Sequence, residues 1–163
     1  PFAKAARGGL QRGAIMSGIR EGMPVLARHE GEWEGEYIHV DLQNAVVDRH
    51  RSHLRCLFPT EGPYAYHQIN TYIWADGRRE EIHFPATYRD KQIWWDTDRI
   101  VGRAWEIDPR TVCLTWTRKD MADAYLYEMI QISADGRHRG RTWHWFEADR
   151  LVKRTCIAER RLG

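Results

Sequence analysis

Tyr64-Ala65-Tyr66-His67-Gln68-Ile69-Asn70-Thr71-Tyr72-Ile73-Trp74, followed by Ala75-Asp76-Gly77-Arg78 and the return from Arg79 to Pro85, decides the fold. β-Branched and aromatic side chains dominate the outgoing run, as a pleated and half-buried surface favours. Asp-Gly between two such runs is the strongest short hairpin signal, because both residues tolerate the positive φ of a tight turn. The stretch therefore reads as two antiparallel strands.

The same pattern repeats toward the C-terminus. Tyr88-Arg89-Asp90-Lys91 turns into Ile93-Trp94-Trp95, Asp96-Thr97-Asp98 into residues 100–107, and Asp108-Pro109-Arg110 into 111–117. Residues 125–133 form the next strand, a second Asp-Gly follows at Asp135-Gly136, then 138–146 and, after Glu147-Ala148-Asp149-Arg150, 151–161. Toward the N-terminus, residues 44–58 are extended, and from Gly31 onward Trp33, Gly35, Tyr37 and His39 keep a period of two. Ten strands result, joined by short turns, so sequence neighbours pair antiparallel. Ten strands do not stay flat and open, and closure removes both edges. The predicted class is all-β, a ten-stranded antiparallel up-and-down barrel with a short N-terminal helix or arm. A two-sheet sandwich is the alternative.

Residues 24–163 read as the single barrel domain and residues 1–23 as the arm. In the arm, Gly8, Gly9, Gly13, Gly18 and Gly22 interrupt a marginal helix, each costing about 1 kcal/mol against Ala. Met16 and Met23 each read as a candidate translation start. The chain has 163 residues and a net charge of +2 from 25 basic and 23 acidic side chains, too balanced for a protein living on phosphate contacts. No nucleic-acid partner is expected. No apolar run approaches the ~18 residues of a membrane span, and no signal peptide opens the chain. Cys56, Cys113 and Cys156 are an odd set without a C-x-x-C pair. Reduced, buried thiols in a cytoplasmic protein are expected.

Gly31-Glu32-Trp33 at the start of the first strand resembles the Gly-x-Trp signature of the lipocalin and fatty-acid-binding superfamily, the calycins. The resemblance implies a Trp that closes one end of the barrel, with a basic residue near the end of the last strand, Arg160 or Arg161, packed across it. The form Gly31 to Gly35 is also similar to the start of nitrobindin-like ten-stranded barrels, which hold haem through a His near the C-terminus. Leu151–Arg161 contains no His, so the chain departs from that pattern. Residues 141–146 and Glu159-Arg160-Arg161 resemble an uncharacterised lipocalin-like bacterial family to which no activity attaches.

Eight Trp, seven Tyr and four Phe suit either a filled aromatic core or a concave aromatic site inside the barrel. Parity limits which residues share a face: Trp33 with Tyr37 and His39; Tyr66 with Tyr72 and Trp74; Leu126 with Glu128, Ile130 and Ile132; Arg141 with Trp143 and Trp145. A slip of one residue inverts each set. Expected lining residues are Tyr37, His39, His53, His67, Trp95, Trp105, Tyr127 and Trp143. Glu128, on an otherwise apolar face, is either a proton carrier or the partner of an inward Arg103, Arg141 or Arg154. His144 between Trp143 and Trp145 is a candidate acid or base, and Tyr66 and Arg141 are candidate oxyanion donors.

The expected function is a cofactor-independent enzyme of isomerase, hydratase or lyase type acting on a hydrophobic, aromatic small molecule. The alternatives are a passive binder of such a molecule, or a homodimerising domain with a filled barrel. No metal and no cofactor are expected: His50 and His53 fall on opposite faces of a strand, and no Cys/His spacing suits zinc.

Overall fold

The structure, a computed structural model, describes residues 18–163; residues 1–17 of the expected arm lie outside the described residues. Ten strands follow in order: β1 Gly31–Val40, β2 Val46–Leu57, β3 Tyr66–Ile73, β4 Arg79–Arg89, β5 Gln92–Asp96, β6 Ile100–Asp108, β7 Thr111–Arg118, β8 Ala124–Ile132, β9 His138–Glu147 and β10 Arg150–Leu162. Each pairs antiparallel with its sequence neighbours, and β1 pairs with β10 to close the barrel. The sandwich is thereby excluded.

The turn residues explain the meander. Gly77 and Gly136 supply the positive φ of the two Asp-Gly turns, 87° and 72°. Asp90-Lys91 and Ala148-Asp149 put non-glycine residues into the same left-handed region, at 54°, 57°, 47° and 59°. That twist matches the strands they join. One boundary differs from expectation: β4 continues through Pro85 to Arg89. Its pairing with β3 ends at Ala86 and its pairing with β5 begins at Thr87. Pro85 stands where the strand changes neighbours, a place that tolerates a missing N–H.

One end of the barrel is plugged. A helical turn over 18–22 and the short helix Pro24–Ala27 cover it, with Ile19, Met23, Val25 and Leu26 buried in the core. The Leu26 N–H donates to Glu106 Oε1 at 2.8 Å, and Arg28 donates to the carbonyls of Ser133 and Pro109 on the loops beneath. Residues 18–23 of the expected arm thus belong to the packed body.

Trp33 is fully buried under this plug and donates from Nε1 to the His29 carbonyl at 2.9 Å. The guanidinium of Arg161 lies 4.4 Å from its ring centroid and that of Arg139 4.3 Å. Arg161 also donates to the carbonyls of Gly136, Glu30 and Arg28, tying plug and last strand together. Arg160 faces outward and pairs with Glu34, so Arg161 is the residue packed across Trp33.

Candidate functional site

Above the plug, inward positions of β8, β9 and β10 carry charge. Glu128, Arg139, Arg141 and Glu159 are each at most 5% exposed. Arg141 donates from Nε to Glu128 at 2.5 Å, and from Nη1 to Tyr37 Oη at 2.9 Å and Glu159 at 3.3 Å. Arg139 donates to Glu159 and approaches His29 Nδ1 at 3.1 Å. Two cations meet two anions, and burial that would strip them of water is offset by direct bonds. Burial opposes the charge on Arg141, but Glu128, Tyr37 and Glu159 hold its pKa well above the ordinary value. Of the readings open for Glu128, the ion pair with Arg141 is the one the structure contains.

A second inward ladder runs along β3. Tyr66 donates to Gln68 at 3.1 Å, Gln68 to Asn70 at 2.8 Å and Asn70 to Tyr72 at 2.8 Å. These four alternate residues share one face. Tyr66 itself is buried against Phe58, at the plugged end of the barrel.

The opposite end holds a cavity of about 280 Å³. Its walls are Tyr72, Trp74, Phe84, Trp116, Trp143 and Trp145. Tyr37, His39, His50 and Asp48 also line it, and Lys153, Arg99, Arg118, Glu80 and Glu147 complete the lining. The rings form one connected set: Tyr37 stacks on His50 at 5.1 Å and meets Trp143 edge-on at 5.5 Å, and His50 lies 4.6 Å from Trp74. Such tilted contacts suit ring quadrupoles. Tyr37 joins the two layers, with its ring in the cavity wall and its hydroxyl on Arg141. Burial pushes the Tyr37 hydroxyl well above the usual tyrosine pKa, so it stays protonated.

His39, Asp48 and His50 follow from the β1–β2 pairing. His39 is opposite Asp48 and Tyr37 opposite His50, so all face inward across one hairpin. His50 Nδ1 lies 2.8 Å from Asp48 Oδ2, and Trp74 Nε1 donates to Asp48 Oδ1 at 3.0 Å. His39 Nδ1 lies 2.7 Å from Thr155 Oγ1, which accepts from Trp145 Nε1 at 2.9 Å. Burial holds the His39 imidazole neutral, with its pKa down at about 4. Burial acts to raise Asp48, but the bonds from His50 and Trp74 outweigh it and keep the carboxylate below its ordinary pKa.

The residues expected in the site divide by strand parity. Tyr37, His39 and Trp143 line the cavity. Glu128, Arg141, Tyr66 and Trp95 point inward but lie below or beside it. Trp105, Tyr127 and His144 alternate with inward-facing neighbours and lie on the outer face, with Tyr127 53% exposed. His53 and His67 are outside as well: His53 pairs with Glu32 at 2.8 Å, and His67 with His83 at 3.1 Å. These five are corrections with one cause. Each adjoins an inward residue, and adjacent residues of a strand take opposite faces. The four expected catalytic residues therefore do not meet at the cavity.

Asp48 and Trp116 are not among the expected lining residues, and His50 enters the sequence reading only in the pair with His53 that separates onto opposite faces. The signal for Asp48 and His50 is present in Asp48-Arg49-His50, a same-face pair two residues apart. It was hidden beside His50-x-x-His53, whose rings do separate.

No protein-family model matches the chain, and no curated protein matches it in sequence. Solved structures match it in shape. A DUF3598-family protein of unknown function from Nostoc punctiforme aligns with TM-score 0.67 and 15% identity, over 84% of this chain and 49% of its own. This chain thus spans about half the length of that protein. The S-type phycobiliprotein lyase of Guillardia theta aligns with TM-score 0.67 and 12% identity, over 85% and 90% of the two chains. A Mycobacterium tuberculosis protein aligns with TM-score 0.58 and 12% identity, over 87% and 98%. The architecture is the lipocalin-like ten-stranded barrel, as the sequence resemblance implied. At these identities the likeness is one of fold.

Proposed function

We propose that this chain binds a small aromatic molecule in the cavity at the open end of its barrel. The observation that carries this is the cavity itself, a concave space walled by Trp, Tyr and Phe with a few polar groups, the usual make-up of a small-molecule site. Cavities of roughly 150 Å³ in other proteins accept benzene. A volume of about 280 Å³ therefore suits one or two rings. The aromatic body would lie among Trp116, Trp143 and Trp145. An oxygen-bearing substituent would reach the polar groups, with Lys153 over Trp145 at 4.5 Å as one donor.

Binding, rather than isomerase-, hydratase- or lyase-type proton transfer, is the reading taken, because Glu128 and Arg141 are tied to each other and His144 and Tyr66 lie elsewhere. The test pairs native and denatured mass spectrometry of the purified chain with a tryptophan-fluorescence titration against a panel of one- and two-ring phenols and aromatic acids. A retained mass, or saturable quenching that Ala124→Phe abolishes by filling the cavity, is expected. A bare native mass with no saturable quenching by any panel member would overturn the reading.

A further inference from the structure

We propose that His39, Asp48 and His50 form a binding site for one divalent first-row transition ion, with its open coordination positions facing the aromatic cavity. The three side chains offer ligand atoms that all lie within 4.8 Å of one another. Asp48 Oδ2 is 2.8 Å from His50 Nδ1 and 3.9 Å from His39 Nε2. On a tetrahedral ion with bonds of about 2.0–2.2 Å, neighbouring ligand atoms sit about 3.3–3.6 Å apart. The observed separations bracket that range, so small rotations about the side-chain bonds convert one arrangement into the other.

Two imidazoles and one carboxylate suit zinc, iron(II), cobalt or nickel rather than magnesium or calcium, which favour all-oxygen sets. Three protein ligands leave one or more positions for water or for an oxygen of a bound molecule, the pattern of open rather than purely structural sites.

Independent support comes from the groups behind the ligands. Thr155 Oγ1 sits 2.7 Å from His39 Nδ1, the nitrogen that points away from Asp48. Accepting from that N–H would leave Nε2 with its lone pair free, as a metal-binding His requires. Trp74 Nε1 holds Asp48 Oδ1 at 3.0 Å, leaving Oδ2 for the ion. Tyr37 stacked on His50 and Trp74 beside it fix that ring. His39 and His50 are 8% and 6% exposed. Ring orientation and carboxylate orientation are thus both set by partners outside the group of three. The outer histidines His67 and His83 also sit close together beside Glu81, but His83 and Glu81 are exposed and, among the described residues, their one side-chain bond to a residue outside the group is Thr71 to Glu81 at 3.3 Å.

The proposal rests on the cavity reading only in its geometry, because the open positions face the space assigned to the aromatic molecule. Equilibrium dialysis against cobalt(II) and zinc(II), followed by visible absorption of the cobalt(II) form, tests it. One ion per chain is expected, with the ligand-field bands of a four- or five-coordinate site. His39→Gln and Asp48→Asn should each weaken retention at least ~10-fold. The nearly isosteric Asp48→Asn, with its fold checked by circular dichroism, carries the test if His39→Gln fails to fold. His53→Gln and His67→Gln should leave retention unchanged. Absence of stoichiometric retention would overturn the proposal, as would retention that survives Asp48→Asn and His39→Gln. Repeating the aromatic titration with chelator present separates the two ideas. Quenching without any ion retention sinks the metal site alone, and ion retention without quenching sinks the aromatic reading alone.

Discussion

At the residue scale, the barrel interior rests on a few buried polar side chains whose partners decide their cost. Glu128 and Arg141 show this most directly. Replacing Glu128 by Gln leaves the Arg141 cation with less compensation in a dry layer, and losing one member of a buried pair costs about 3–5 kcal/mol. Glu128→Gln is expected to fall in that range by urea denaturation, whereas exchanging both residues for apolar ones of similar volume should cost less. His29 gives a pH prediction. Burial first, then Arg139, Arg141, Arg161 and Arg28, push its pKa well below 6.5. The unfolded chain therefore binds a proton below about pH 6.5 that the folded chain refuses, so stability is full above that pH and falls beneath it. The slope is about 1.4 kcal/mol per pH unit for one proton. His29→Gln should remove one proton from the pH dependence of unfolding between pH 6.5 and 5; an unchanged slope would show that His29 does not contribute it. Glu128 stood out in the sequence because a carboxylate on an apolar face is conspicuous. His29 did not, because only the plug and the arginines under it make it unusual.

At the element scale, period-two patterning and turn chemistry carried nearly all the legible information. Asp76-Gly77 and Asp135-Gly136 placed two hairpins, and the residues between turns placed the remaining strands. Parity within a strand was legible too: Trp33, Tyr37 and His39 do share the inner face. Which face of β3, β8 or β9 joined them was not, because the register between strands depends on loop conformation and bulges, such as the shift between His39 and Val40. His144 and Trp143 could not both line one cavity, and only the pairing of β9 with β8 and β10 decides between them. Gly35 is the element-scale case with a sharp consequence. A Cβ there would fall 2.2 Å from the Ala158 carbonyl oxygen and 2.6 Å from Glu159 Cγ. The nearest clash is with backbone, so β1 and β10 would have to move apart there, and the Glu159 side chain that holds Arg139 and Arg141 would be displaced with them. Gly35→Ala is expected to destabilise by about 1–3 kcal/mol, measured as a lowered urea midpoint with an unchanged m-value.

At the scale of the whole molecule, the two ends of the barrel do different work. The Trp33 end is closed by the helical plug and by Arg161, whose side chain bonds to three carbonyls on two separate segments, Arg28 and Glu30 before the first strand and Gly136 in the second Asp-Gly turn. The other end keeps its aromatic side chains around a space, with the buried ion-pair layer between the two. The resemblance at Gly31-Glu32-Trp33 implied the closed end, and nothing in composition located the open one, because Trp116 and Trp145 look like core residues until the barrel is closed. This division predicts separable effects. Ile19 is fully buried in the plug and is not among the residues lining the cavity, so Ile19→Ala should cost about 2–5 kcal/mol and lower Tm while leaving the Kd of an aromatic ligand unchanged. Trp116 meets Trp145 edge-on at 5.3 Å in the cavity wall and is only half-buried. Trp116→Ala should therefore weaken that ligand about tenfold or more, the ~1.4 kcal/mol equivalent of one lost ring contact, with a smaller change in Tm than Ile19→Ala. Sites this far apart without shared partners add independently, so the double variant should show both shifts in full. A coupled response, in which loosening the plug also costs ligand affinity, would mean that the ion-pair layer transmits strain between the ends and that the barrel behaves as one body.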